Sequence, residues 1–73
     1  MRPETIMEFD AKNENGERYR ILILQHYREI GDDDVTLILP IQKEMRTSEG
    51  HSVNRINDRG YYIIGLNVEV ERI

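Results

Sequence analysis

Cysteine is absent from this 73-residue chain. That excludes a disulfide framework and a thiolate metal site, and leaves packing, strand pairing or a partner subunit as sources of stability. A reducing, cytoplasmic location is expected on the same ground. Unbroken apolar runs such as Ile21 to Leu24 are far short of the stretch needed to span a bilayer, and the amino-terminal MRPETIMEF has no apolar core of signal-peptide length. A soluble chain with no membrane association is therefore expected. Positive charge is scarce in the first half, where residues 1 to 34 hold five Lys/Arg against nine Asp/Glu, while residues 35 to 73 hold five of each. A chain of net charge −4 is poorly suited to general attraction to polyphosphate, which works through cationic side chains releasing counterions.

No Gly-rich phosphate loop, H-E-x-x-H, G-x-S-x-G or dinucleotide fingerprint occurs, so no cofactor is implied and an enzyme is not expected. The chain is also short for a water-excluding cleft and is read as one domain over residues 1–73.

What the chain does have is branched aliphatic residues: Ile and Val number 14, against six Ala plus Leu. These side chains lose rotamer freedom in a helix and pack well on a pleated surface. From Thr5 to Ala11, Met7, Phe9 and Ala11 share one face and Glu8 and Asp10 the other, the period of a half-buried strand. Asn15-Gly16 then predicts a type I′ hairpin turn into a second strand from near Glu17. Tyr19, Ile21, Ile23 and Tyr27 alternate on one face of that strand with Gln25 as the exception. Leu22 and Leu24 make its other face apolar too, which suits a central strand or a face offered to another subunit.

Val35, Leu37 and Leu39 resume the alternation until Pro40, which either lies at the end of an edge strand or opens a short helical turn over residues 40 to 45. Ser48-Glu49-Gly50 and Asn57-Asp58-Arg59-Gly60 are turn signals, and Gly65 marks a bulge or bend before Val68 and Val70. The expected fold is all-β: an antiparallel meander curled into an SH3-like or OB-like small barrel. Such a fold carries no function of its own, so function must be argued from sites.

Three candidate sites stand out. Asp32, Asp33 and Asp34 lack the alternating spacing of a calcium loop, because consecutive residues of an extended loop point in different directions; a solvated turn that discourages edge association fits better. His26 and His51 have carboxylates or hydroxyls near them in sequence, but neighbouring strand residues face opposite ways and do not build a triad. The segment HSVNRINDRGYYI gathers Arg55, Arg59 and Tyr62, with Arg46 nearby. These four are the expected binding residues, since guanidinium forks and tyrosine faces suit recognition.

The expected function is a small non-enzymatic binding module whose partner is another protein or a second copy of itself, with the terminal VEVERI as a free pairing edge. One alternative is a nucleic-acid-binding module using the Arg/Tyr hairpin at residues 51 to 62. A further one is an acidic decoy from a mobile element, with Asp32 to Asp34 imitating phosphate spacing beside Glu8, Asp10 and Glu17.

Overall fold

Alternating aliphatic residues and glycine-bearing turns produce six antiparallel strands. The structure, a computed structural model, describes residues 2–73. In chain order the strands are β1 Glu4–Lys12, β2 Arg18–Gly31, β3 Thr36–Thr47, β4 Val53–Arg55, β5 Gly60–Ile63 and β6 Val68–Arg72. They form one sheet in the order β3-β2-β1-β6-β5-β4. The fold is all-β, as the composition predicts, and curls into a half-barrel. No helix among the described residues is long and apolar enough to cross a membrane.

The sheet consists of two three-stranded meanders of unequal length. Strands β1, β2 and β3 have 9, 14 and 12 residues, whereas β4, β5 and β6 have 3, 4 and 5. At about 3.3 Å per residue, β2 alone is about 46 Å long and the carboxy-terminal strands span less than half of that. The short meander therefore covers only one end of the long one. It is joined on one side through Ala11↔Arg72 and Lys12↔Glu71, and on the other by a single bridge, Arg46↔Ser52.

Between the two meanders lies the core: Phe9, Ala11, Ile21, Val53, Tyr61, Ile63 and Val70. Ile21 and Ile63 are completely enclosed, and burying such a side chain stabilises the fold by about 1.5–3 kcal/mol. The Phe9 and Tyr61 rings pack with centroids 5.1 Å apart and tilted by 46°. The Arg72 guanidinium covers the Phe9 ring at 4.5 Å, a cation–π contact at the seam between β1 and β6.

Local geometry departs from expectation at three places. The β1–β2 connection is not a type I′ turn, because Asn15 keeps a negative φ and Gly16 alone is positive, at 82°. Asn13 and Glu17 close a three-residue loop instead, with Gly16 N–H donating to Asn13 O at 3.0 Å and the Asn13 side chain accepting from the Asn15 and Glu17 N–H groups. The Thr47–His51 turn repeats this plan, with Gly50 at φ 95° and Gly50 N–H donating to Thr47 O at 2.9 Å. Both are type I turns followed by a left-handed glycine, the commonest hairpin connection after the two-residue primed turns.

Pro40 neither opens a helical turn nor ends its strand: residues 40 to 45 lie inside β3, which runs on to Thr47. An edge strand tolerates a residue without an N–H, and β3 is an edge strand. Of the two alternatives at Gly65 the chain takes the bend: the glycine sits in a 3₁₀ turn, Ile64–Leu66, closed by Asn67 in the left-handed conformation. Finally, the VEVERI strand is not an edge, since β6 lies between β1 and β5.

Candidate interaction surface

Beyond the reach of the short meander, β2 and β3 continue as a two-stranded arm. Its base is a bulge: Gln25 pairs with Lys43 but Tyr27 with Pro40, so β3 spends one residue more than β2. A bulge breaks the ladder and leaves carbonyls without ladder partners. The Gln25 amide fills that gap, donating to the main-chain oxygens of His26 and Gln42 at 3.1 Å each. This explains the one polar residue on the inward face of β2, which is buried.

Above the bulge the register pairs Arg28 with Leu39, Glu29 with Ile38, and Ile30 with Leu37. Directly opposed residues share a face, so Ile30, Leu37 and Leu39 lie on one side and Ile38 and Pro40 on the other. Ile30, Val35, Leu37, Ile38, Leu39 and Ile41 are between 42% and 57% exposed. The run Thr36 to Gln42 holds no charge at all, and its outer side faces no strand.

The free edge of β1 provides the contrast. From Glu4 to Asp10 it is bulged between Thr5 and Met7 and carries Glu4, Glu8 and Asp10, the devices by which edges resist pairing. Of the two alternatives for the doubly apolar β2, the central strand holds, since β2 lies between β3 and β1; Leu24 is buried and Leu22 half-buried within the chain.

The tip of the arm answers the question raised by the three aspartates. The Asp32 carboxylate accepts from the main-chain N–H groups of Asp34, at 3.0 Å, and Val35, at 3.2 Å. Those bonds, the Asp34 one foremost, hold its carboxyl below the usual carboxylate range. The turn is tight: a Cβ on Gly31 would lie 2.4 Å from the Val35 carbonyl oxygen. Asp32 is thus occupied in shaping the turn while Asp33 and Asp34 project into solvent, and no group of three or more His, Asp or Glu among the described residues is placed to hold a metal ion.

At the base, His26 Nε2 lies 2.7 Å from Glu44 Oε1 and Arg46 Nη2 lies 2.6 Å from Glu44 Oε2. The His26 hydrogen bond and then the Arg46 guanidinium lower the Glu44 pKa. Of the four expected binding residues, Arg46 is therefore engaged with Glu44. Arg55 Nη2 meets Asp58 Oδ1 at 3.2 Å and its Nε donates to Asn57 O. Arg59 donates to the Arg72 carbonyl at 3.0 Å and faces Glu71 at 3.8 Å. Tyr62 OH donates to Asn67 Oδ1.

Register separates these four instead of clustering them. Arg55 pairs with the buried Tyr61, and Tyr62 pairs with Asn54, so Arg55 and Tyr62 take opposite faces of the sheet. Arg55 lines a hollow of about 750 Å³ at the incompletely closed β3–β4 seam, with Ile23, Lys43, Met45 and Tyr61. Arg59 lines another, of about 650 Å³, where the Asn13–Gly16 turn approaches β6.

The exposed arm was missed by sequence reasoning, although a signal exists. In Thr36 to Ile41 aliphatic residues occupy both odd and even positions around a proline, which in a strand means apolar surface on both faces. No protein-family model matches this chain, and no curated protein or solved structure does either.

Proposed function

We propose that this chain is a non-enzymatic binding module whose partner is a protein and whose contact surface is the β2–β3 arm. The observation that carries this reading is the uncharged outer edge of β3 from Thr36 to Gln42, with half-exposed aliphatic residues on both faces. Main-chain groups along such an edge supply affinity by strand addition, and the flanking side chains supply selectivity. Contiguous apolar surface of this kind is a liability unless something covers it. The absence of cysteine suits a reducing, cytoplasmic setting.

The histidines favour binding over catalysis. Glu44, the carboxylate beside His26, is shared with Arg46 and held as an anion below the ordinary range, which makes it a weak base. His51 lies tight against the chain at Gly65, where a Cβ would fall 2.6 Å from its Nδ1.

Position-specific photo-crosslinking of the full chain inside expressing cells tests the assignment. A photoreactive residue in place of Ile38, on the arm, is expected to yield a discrete protein adduct, while one in place of Glu69, on β6, yields none. Equal labelling at both positions, or no adduct at Ile38, overturns it.

A further inference from the structure

We infer that the protein covering the arm is a second copy of this chain, with the two β3 edges paired antiparallel about a two-fold axis near Ile38. The inference rests on the arm being the contact surface and adds the identity of the partner. Three observations support it.

The first is surface area. A compact monomer of 8.7 kDa exposes about 4,700 Å², whereas this chain exposes 5599 Å². The excess is roughly 900 Å², close to the ~800 Å² per partner that a standard interface removes from water. The radius of gyration agrees: 15.3 Å, with extents of 55 × 22 × 15 Å, against about 11 Å for a compact chain of this length.

The second is charge placement. Among the described residues Lys43, at the base of the arm, forms no ion pair, and neither do Asp33 and Asp34 at its tip. Antiparallel pairing centred at Ile38 sets Lys43 of each copy opposite Asp33 of the other. Moving the centre to Leu37 or Leu39 still leaves Lys43 opposite Gly31 or Val35, the two ends of the acidic turn. Parallel pairing would instead stack one Asp32–Asp34 turn against another, and like charges directly opposed are unfavourable. The antiparallel register also sets Glu44 opposite Asp32, but both carboxylates are already bonded within their own chain, Glu44 to His26 and Arg46 and Asp32 to the Asp34 and Val35 N–H groups, so the charges left without a partner are complementary in the antiparallel orientation.

The third is closure. A two-fold contact uses the same patch on both copies and leaves nothing to propagate. Once both β3 edges are consumed, the remaining edges are the acidic, bulged β1 and the three-residue β4, both poor templates. Pro40 supplies no N–H to the new ladder, which keeps the pairing reversible.

Sedimentation equilibrium of the purified full chain at physiological salt tests this. The mass is expected to rise from 8.7 kDa toward twice that value with concentration and to stop there. Ile38→Lys, at an exposed position, should weaken association by about thirtyfold or more. Lys43→Glu should weaken it by about fivefold, and adding Asp33→Lys and Asp34→Lys to Lys43→Glu should restore it. A single-copy mass at every concentration, growth past two copies, or indifference to Ile38→Lys overturns the inference; failure of the charge swap to restore association overturns the antiparallel orientation. The Ile38 photo-crosslink distinguishes the two levels: an adduct with a different protein leaves the arm as the contact surface while removing the second copy, and no adduct removes both.

Discussion

The closed end of the sheet and the arm are built from the same two strands, yet they obey different physics. Ile21 and Met45 lie on β2 and β3 where the short meander reaches them, and Ile21 is wholly enclosed. Ile30 and Leu37 lie on the same pair of strands beyond that reach and are about half exposed. Their residue types are alike, and only the presence of a second layer differs. Aliphatic character thus made both regions extended, whereas the length of β4 to β6 decided which became a core and which a surface.

The largest effect should come from truncating each region in turn. Ile21→Ala is expected to lower unfolding stability by about 2–5 kcal/mol, against about 0.5 kcal/mol or less for Ile38→Ala under monomeric conditions; urea denaturation of both variants measures it. Equal losses would mean that the arm is packed and the contrast is false. Next is Gly50→Ala, which places a side chain at φ 95° with nothing within 4 Å of its Cβ. The cost is then purely conformational, about 1–2 kcal/mol, and an unchanged denaturation midpoint would contradict the turn geometry.

Gln25→Leu probes the boundary between the two regions. It leaves the Gln42 carbonyl without its side-chain donor at a cost of about 1 kcal/mol, and amide exchange should quicken in the arm before it quickens in the strands around Ile63. Uniform acceleration would argue against the arm opening separately.

The smallest effect is that of acid. Asp32 and Glu44 bind protons more weakly folded than unfolded, so their contribution is present above the ordinary carboxylate value of about 4 and is lost as pH falls through the lower folded values. Urea midpoints should therefore decline on acidification below pH ~4, less so in Glu44→Gln. Asp32→Asn should alter exchange only at the tip. A midpoint that rises in acid would reverse the assigned sign.

Much of the fold was legible from local rules. Alternation identified β1 and β2, and the glycines at 16 and 50 marked real turns, whereas only the register showed that Tyr61 is the inward and Tyr62 the outward of the two adjacent tyrosines. Where local rules misled, the missing information was a hydrogen-bonding partner or the order of the strands. The type I′ expectation at Asn15-Gly16 overlooked the Asn13 side chain, which bonds two main-chain N–H groups and selects the longer loop. Pro40 was compatible with a helix start or the end of an edge strand, and the strand instead runs through it, because β3 lies at the sheet margin where a missing N–H costs no ladder bond. Arg46, Arg55 and Arg59 each spend their guanidinium on a neighbouring oxygen, a use that residue type alone does not reveal.

Taken alone, the sequence determined an extended chain with a period of two and its glycine-bearing corners, because strand propensity, alternation and positive φ are properties of a few consecutive residues. It also determined that Thr36 to Gln42 would be uncharged. Tertiary structure decided that β6 lies inside the sheet and β3 at its margin, since strand order depends on how the two meanders curl together and close at Arg46 and Ser52. It decided the exposure of the arm for the same reason: an aliphatic residue is buried only where another strand arrives to cover it.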